Sequence, residues 1–301
     1  MALVTNAFIT YDATGNREDL IDVITNISPL DTWFTSNSGS NRATARVHQW
    51  QTDELRAAAE NKTIEGSVAT ANPITATALL QNTCQILRET FAISDSQEAV
   101  LSAGRPSEIA YQTTKILKEL AKDLEYALLI NSTELTGSST SARTLKGVLG
   151  FVSTNQTSAT ATSDDITESA LNDTLQLMWA EGGEPSTMLT HASQKRVISA
   201  FTTNTKNITA DAKKLVLSVD IYESDFGMIQ IKLSHALQDS ADGDSIIFGN
   251  MALWNKSWLR PMKREELART GSARVFMIEA ELTLESLNEK GSGSMVAYSH
   301  V

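Results

Sequence analysis

A long amphipathic segment between Pro106 and Ile130 limits the fold of this chain more than any other part of the sequence. Pro106 suits the first position of a helix, where its missing N–H would have no helical partner. Apolar residues then recur at steps of three and four and form one stripe, made of Ile109, Ile116, Leu117, Leu120, Leu124, Ala127 and Leu128. At 1.5 Å per residue, the segment predicts a single helix on the order of 36 Å long.

Two extended segments precede this helix and enclose a region that has little to bury. Residues 43–53 have extended character around Trp50, and residues 84–93 alternate partly between apolar and polar side chains. The sequence between them is rich in Ala, Thr and Asn and has few large apolar residues. We interpret the two segments as the strands of one long hairpin. A two-stranded hairpin is only marginally stable in water, so this one is expected to lie on another surface.

Shorter elements are predicted on both sides of the long helix. The first forty residues predict an arm with a short helix at 18–26 and a loop at 37–41. Ser94 and Gln97 match a capping box that begins a short helix ending near residue 103. Asp165 and Glu168 match a second box, for a helix that ends at Gly182. The remaining patterns predict strands at 147–152 and 187–190 and a helix at 192–201.

The last third of the chain changes to the period of strands. Apolar residues alternate with polar ones over 215–221 and 229–233, with a turn at 224–225, and residues 245–254 are apolar and extended. The clearest strand has Phe276, Ile278, Ala280, Leu282 and Leu284 on one face and Met277, Glu279, Glu281, Thr283 and Glu285 on the other. Helices followed by strands indicate an α+β protein.

Charge and composition exclude several classes of protein. The formal net charge is −11, so the chain lacks the excess of Lys and Arg that drives binding to nucleic acid phosphates. Sequence-specific DNA binding is therefore not expected. No run approaches the roughly 18 apolar residues of a membrane helix, and the first residues do not resemble a secretory signal. The single cysteine, Cys84, excludes an internal disulfide framework.

Residues that could support catalysis or metal binding are scattered. The histidines are His48, His191, His235 and His300, and none is spaced as a metal-ligand pair. The acidic run at 239–244 lacks the ligand order and the distal glutamate of a calcium loop and is interpreted as a turn. We therefore predict no catalytic, cofactor-binding or metal site, and no enzyme activity.

Two further patterns are assigned structural roles. The run at 291–294, Gly-Ser-Gly-Ser, lacks the spacing of a nucleophile elbow and is interpreted as a flexible tail. Trp254 and Trp258 flank Lys256 and could stack on a base or a sugar. Tryptophans in a strand-rich region are more often core or interface residues, which is the interpretation adopted.

Several local patterns, taken in order, carry a family resemblance. They are the 107–130 helix after Ala-Gly-Arg-Pro, the run 185–190 before an Ala-Ser-Gln-Lys-Arg helix, Trp-Leu-Arg-Pro at 258–261, Ala-Arg-Thr-Gly at 268–271, and the run 281–290. Over nearly the whole chain the sequence resembles the major capsid (major head) proteins of tailed bacteriophages. The resemblance implies an HK97-like (Hong Kong 97-type) capsid fold.

That fold would divide the chain into five regions. These are an N-terminal arm at 1–40, an extended E-loop hairpin at 41–94, a spine helix with the first part of the peripheral (P) domain at 95–152, an axial (A) domain at 153–255, and return strands of the P-domain at 256–301. Because hairpin-like sequence begins by about residue 43, little room remains before it for a scaffolding segment. Separate scaffolding, or none, is therefore expected.

The resemblance also implies a function. The chain would form hexamers and pentamers of an icosahedral head, assembled in the host cytoplasm, with portal, scaffolding or decoration proteins as partners and no cofactor or membrane. Packaged double-stranded DNA would lie near the wall without sequence-specific binding. Three alternatives stay open: an encapsulin-like nanocompartment shell, another virion component such as a tail or baseplate protein, and an enzyme or ligand-binding protein.

Overall fold

A computed structural model describes residues 32–69, 71–100, 106–159, 165–201, 221–237, 244–269 and 271–298. The predicted helix at 18–26, the strand at 215–220 and the acidic run at 239–243 lie outside these residues, as does His300. Among the described residues, no helix combines the length and the apolar character that crossing a bilayer requires.

The described helices are α1 (Trp33–Asn37), α2 (Asp95–Ala99), α3 (Glu108–Ile130), α4 (Val148–Phe151), α5 (Glu168–Ala180) and α6 (Ala192–Ser199). Side-chain caps fix three of their starts. The hydroxyls of Ser94, Ser107 and Thr167 accept hydrogen bonds from backbone N–H groups three residues further on. The N-cap predicted at Ser94 is thus confirmed. The helix expected from Asp165 is capped by Thr167 instead and begins at Glu168.

The described strands are β1 (Gly39–Arg42), β2 (Val47–Thr52), β3 (Ala78–Thr83), β4 (Gln85–Ser94), β5 (Gln156–Ser158), β6 (Thr187–Thr190), β7 (Ile221–Ser224), β8 (Gly227–Leu233), β9 (Asp244–Gly249), β10 (Trp254–Glu266), β11 (Ala273–Ser286) and β12 (Gly293–Tyr298). They form a four-stranded sheet in the order β1-β10-β11-β4, a six-stranded sheet in the order β5-β12-β9-β6-β8-β7, and the hairpin β2-β3.

The long helix α3 packs its apolar stripe on the four-stranded sheet. Ile116, Leu120, Leu124 and Leu128 are buried in one cluster with residues of β11 and with Trp254, the first residue of β10. The inward face of β11 is the one that the alternation predicted, since Phe276, Ile278, Ala280, Leu282 and Leu284 are all buried. A helix stripe and a strand face of matching length therefore build the first core.

The six-stranded sheet carries the second core on one face and contacts the first core with the other. In β9, Ile246 and Phe248 belong to the second cluster, whereas Ile247 between them belongs to the first. In β6, Met188 and Leu189 divide in the same way. Burial on both faces explains why residues 245–249 form a nearly continuous apolar run.

Four predictions are corrected by strand pairing and helix geometry. The hairpin exists, but β2 pairs with β3, and residues 85–94 pair with β11 in the four-stranded sheet. Residues 39–41, predicted as part of a loop, belong to β1, which pairs in parallel with the start of β10. The expected strand at 147–152 is the short helix α4. The expected flexible tail at 291–294 is buried and opens β12, which pairs with β9 in the six-stranded sheet.

Helix α4 begins where the chain packs closely against the end of α3. A Cβ on Gly147 would lie 2.7 Å from the Leu128 carbonyl oxygen and 2.8 Å from that of Ala127. Glycine thus lets the chain turn against the end of α3, where Gly147 N–H donates to the Asn131 carbonyl at 2.7 Å. The chain then coils within four residues and buries Val148 in the first core.

Candidate assembly interface

The hairpin loop, residues 53–77 between β2 and β3, has no interior of its own. Every described residue from Asp53 to Leu79 is exposed, and no described helix or strand lies between Thr52 and Ala78. The exposed fractions are 100% for Leu55, 83% for Ile64, 91% for Val68 and 97% for Ile74. Apolar side chains exposed this fully along one ribbon indicate a surface that another molecule covers.

The base of the hairpin is fixed to the four-stranded sheet by buried hydrogen bonds. Trp50 Nε1 donates to the Ser286 carbonyl at 2.8 Å. The Asn82 amide donates to the Leu284 carbonyl at 2.8 Å and to the Lys146 carbonyl at 2.9 Å, and its oxygen accepts from Lys146 N–H at 2.8 Å. The stem of the hairpin is therefore held in place while its loop projects from the subunit.

Three glutamates of β11 bind the segments around this base to the sheet. Glu279 accepts from Arg88 and Arg260, with the Arg260 Nη1 to Oε1 distance at 2.5 Å. Glu281 accepts from Arg143 at 2.7 Å and from Arg260 Nε at 2.8 Å. The hydrogen bond to Glu281 raises the pKa of the Arg260 guanidinium, and the charge of Glu279 raises it further.

The third glutamate, Glu285, reaches the first strands of the chain. Its Oε2 accepts from Asn41 Nδ2 and from Ser257 Oγ, both at 3.2 Å, and lies 3.5 Å from His48 Nε2. The alternation predicted all these glutamates on a face away from the core, yet all three are buried. Their partners come from distant parts of the sequence, so no local pattern could reveal this network.

The chain that enters at Thr32 is fixed to α3 by a buried carboxylate. Glu125 accepts from Phe34 N–H at 2.7 Å and from Thr35 N–H at 2.8 Å, and so caps the first turn of α1. At the other end of α1, Lys256 Nζ donates to the Thr35 carbonyl at 2.6 Å and to the Ser38 carbonyl at 2.9 Å. Burial lowers the pKa of Lys256, and the charge of Glu125 opposes that shift.

The root of the hairpin loop is also tied to the six-stranded half of the subunit. Lys290 Nζ lies 2.9 Å from Glu54 Oε1 and 3.2 Å from Glu181 Oε2. Glu54 is the second residue of the loop, and Glu181 follows the end of α5. The hydrogen bond to Glu54 raises the pKa of Lys290, and the bond to Glu181 adds to the shift.

The residues weighed as chemical candidates lie far apart. His48 is in β2, His191 caps α6 with Nδ1 2.8 Å from Ser193 Oγ, and His235 begins a short 3₁₀ helix. Within the described ranges, no three His, Cys, Asp or Glu residues converge as metal ligands. Trp254 is buried and donates from Nε1 to Ser292 Oγ at 3.1 Å, so it is a core residue.

Cys84 lies in the same packed region, and its thiol is poorly reactive. Its side chain is fully buried between β3 and β4. Burial raises the pKa of the thiol to about 11, with a further rise from Glu281 and a smaller opposing effect from Arg143. The thiolate is the nucleophilic form of cysteine, so this side chain is suited to packing.

Comparison with known proteins places this architecture among phage shells. Residues 4–298 match the model of the SU10 major capsid protein family. The major capsid protein of Escherichia phage Phieco32 is 25% identical over an alignment of 338 positions, which covers 95% of this chain and 95% of the relative.

Solved structures share the fold at low sequence identity. The capsid of a native GTA particle superposes with a TM-score of 0.69 at 10% identity, covering 97% of this chain and 99% of the other. The capsid of cyanophage P-SCSP1u gives 0.64 at 14% identity, covering 99% and 97%. The holo-SrpI encapsulin from Synechococcus elongatus gives 0.60 at 10% identity, covering 94% and 92%. The fold is thus the HK97-like capsid fold that the sequence resemblance implied.

Proposed function

Because this chain belongs to the SU10 major capsid protein family, we propose that it forms the hexamers and pentamers of an icosahedral phage head that encloses double-stranded DNA. The family match over residues 4–298 carries this proposal. The exposed hairpin loop supports it, because the loop presents Leu55, Ile64, Val68 and Ile74 to solvent in a single subunit. In a shell of many copies, a neighbouring subunit can cover this loop.

The physical basis of assembly is the repetition of weak contacts. The loop is held at its base by Trp50 and Asn82 and at its root by Lys290, so its direction is partly set before contact. Partial ordering in advance lowers the entropy that association costs. Each subunit in a closed shell makes the same contacts, and linked contacts strengthen one another through effective concentration.

The five regions keep their proposed roles with shifted boundaries. We assign the E-loop hairpin to 43–83, since residues 39–42 pair with β10 and residues 85–94 pair with β11. We assign β12 to the A-domain, since it pairs with β9 and β5 of the six-stranded sheet. The spine helix is α3, and the P-domain sheet is formed by β1, β10, β11 and β4.

Packaged DNA is proposed to lie near the wall without tight binding. The net charge of −11 disfavours close approach of phosphates, and weak affinity suits a container that must later release its contents. Portal, scaffolding or decoration proteins are proposed as further partners, and the host cytoplasm as the place of assembly. The role is structural, without catalysis.

Particle imaging tests this function. The chain, expressed alone and together with the other head proteins of its genome, is expected to give closed shells in negative stain. Particles from infected cells are expected to contain it as the main shell protein around DNA. Open rings in both preparations would indicate a tail or baseplate component. Shells that enclose a specific protein cargo and no DNA would indicate a nanocompartment, and a lasting monomer would overturn any shell role.

A further inference from the structure

The tip of the hairpin loop has a defined shape. Ser67 N–H donates to the Ile64 carbonyl at 3.1 Å, and Gly66 between them has a φ of 79°. A positive φ at the third position is the requirement of a type II turn, which glycine meets without strain. Glu65 occupies the second position of this turn and is exposed. The turn therefore presents a carboxylate beside the exposed side chain of Ile64.

Glu65 differs from the other acidic residues of the loop. Glu60 pairs with Lys62, Glu54 pairs with Lys290, and the Asp53 carboxylate accepts from Glu54 N–H. Across the described ranges of the chain, the Glu65 side chain has no such partner. The loop thus offers one uncompensated negative charge at its tip.

A cleft on the surface of the subunit presents a positive charge. It has a volume of about 340 Å³ and lies beside Arg46, Ile86 and Arg143, with the turn at 136–142 as its other wall. Arg143 is bound to Glu281, whereas the exposed Arg46 guanidinium has no ion pair or hydrogen bond to any described residue. Ile86 is 36% exposed at the same place. An uncompensated positive charge therefore stands next to an apolar surface.

From this match we infer that the Ile64–Ser67 turn of one copy seats in the Arg46 cleft of a second copy. The Glu65 carboxylate then accepts from the Arg46 guanidinium, and Ile64 covers Ile86. The inference rests on the proposed function and names the surface that receives the loop. The occupant is a second copy because, within one subunit, β2 and β3 carry the loop away from Arg46 and leave both charges exposed.

A single contact between Glu65 and Arg46 is weak, but many such contacts act together in a shell. An exposed ion pair adds little stability in water, so Glu65 and Arg46 serve mainly to set the register of the contact. Burying Ile64 against Ile86 adds a non-directional attraction. Repetition around a shell makes the sum sufficient for assembly.

Charge exchange tests the pairing directly. Glu65→Arg and Arg46→Glu, each alone, place like charges together and are expected to lower the yield of closed shells at least tenfold. The double variant restores opposite charges and is expected to recover most of the yield. Glu60→Arg, in the same loop but paired with Lys62, is the control and is expected to assemble. Normal assembly of both single variants, or a double variant as defective as the singles, would overturn the inference.

A crosslink tests the geometry independently. The variant Ile64→Cys with Ile86→Cys, oxidised after assembly, is expected to give a ladder of covalent oligomers on a non-reducing gel. Cys84 is buried and does not compete. Bands at the monomer position alone would overturn the inference. Wild-type shells are required first in both experiments, so a wild-type protein that forms no shells would refute the proposed function instead.

Discussion

Replacing residues 53–77 with an Asn-Gly turn is expected to leave a folded subunit that no longer forms closed shells. Thr52 pairs with Ala78 across the hairpin, so two residues are enough to join the strands. All the described residues among those removed are exposed, and none of them belongs to either core. Their loss should therefore leave the stability of the subunit nearly unchanged while removing the four most exposed large apolar side chains of the described residues.

The two halves of this prediction need separate measurements. Thermal unfolding, monitored by circular dichroism, measures the stability of the subunit. Sedimentation with negative-stain imaging measures the yield of closed shells. Since the replacement also removes the ion pair between Glu54 and Lys290, Glu54→Gln in the full-length loop is the control for that loss. It is expected to reduce the yield of shells far less than the replacement does, because Trp50 and Asn82 still hold the base of the hairpin. Closed shells from the shortened chain in normal yield would show that the loop has no part in assembly.

The substitution Glu125→Ala is expected to lower the free energy of unfolding by about 3 kcal/mol. Glu125 is buried and accepts from the N–H groups of Phe34 and Thr35, and alanine would leave those donors without a partner. It would also remove the charge that holds up the pKa of the partly buried Lys256. The segment at 33–38 should therefore detach from α3.

Urea unfolding measures this effect, with two variants for comparison. Glu119→Ala lies on the same helix, but its ion pair with Lys115 is exposed and 3.7 Å long, so a loss of about 0.5 kcal/mol or less is expected. Glu125→Gln keeps the shape of the side chain and one acceptor oxygen, so its loss of stability should lie between those of Glu125→Ala and Glu119→Ala. Equal stability of Glu125→Ala and Glu119→Ala would contradict the proposed anchoring of α1.

Local signals in the sequence predicted the elements that local physics determines. The alternation of β11 is confirmed, and so is the stripe on α3 apart from Leu117, which is 38% exposed, because a helix period and a strand period are properties of contiguous residues. The cap at Ser94 was also found from spacing alone. The capsid fold followed from the order of these elements together with the family resemblance.

The pairing of strands is harder to predict from the sequence than their positions. The sequence predicts that residues 43–53 and 84–93 are partners, because both segments are extended and flank a weakly apolar region. The shorter strand β3 pairs with β2 instead, and β4 gains a longer partner in β11, almost two hundred residues away. Pairing across such a distance depends on tertiary packing, which periodicity in one segment does not encode.

The network around β11 was missed for a related reason. Glutamates that alternate with apolar residues are typical of a solvated face, and Glu279, Glu281 and Glu285 fit that description. Glu279 and Glu281 are paired with arginines that come from three other segments, Arg88, Arg143 and Arg260. Glu285 accepts instead from Asn41 and Ser257. A buried carboxylate with such partners becomes recognisable only when the fold brings the charges together.

Amide hydrogen exchange of the hairpin loop in two states is the most direct test of the claim that neighbouring copies cover this ribbon. Peptides from residues 53–77 are expected to exchange at the rate of unprotected chain in free subunits and to become strongly protected in closed shells. Peptides from α3 should be protected in both states. Equally fast exchange of the loop in subunits and shells would contradict the account.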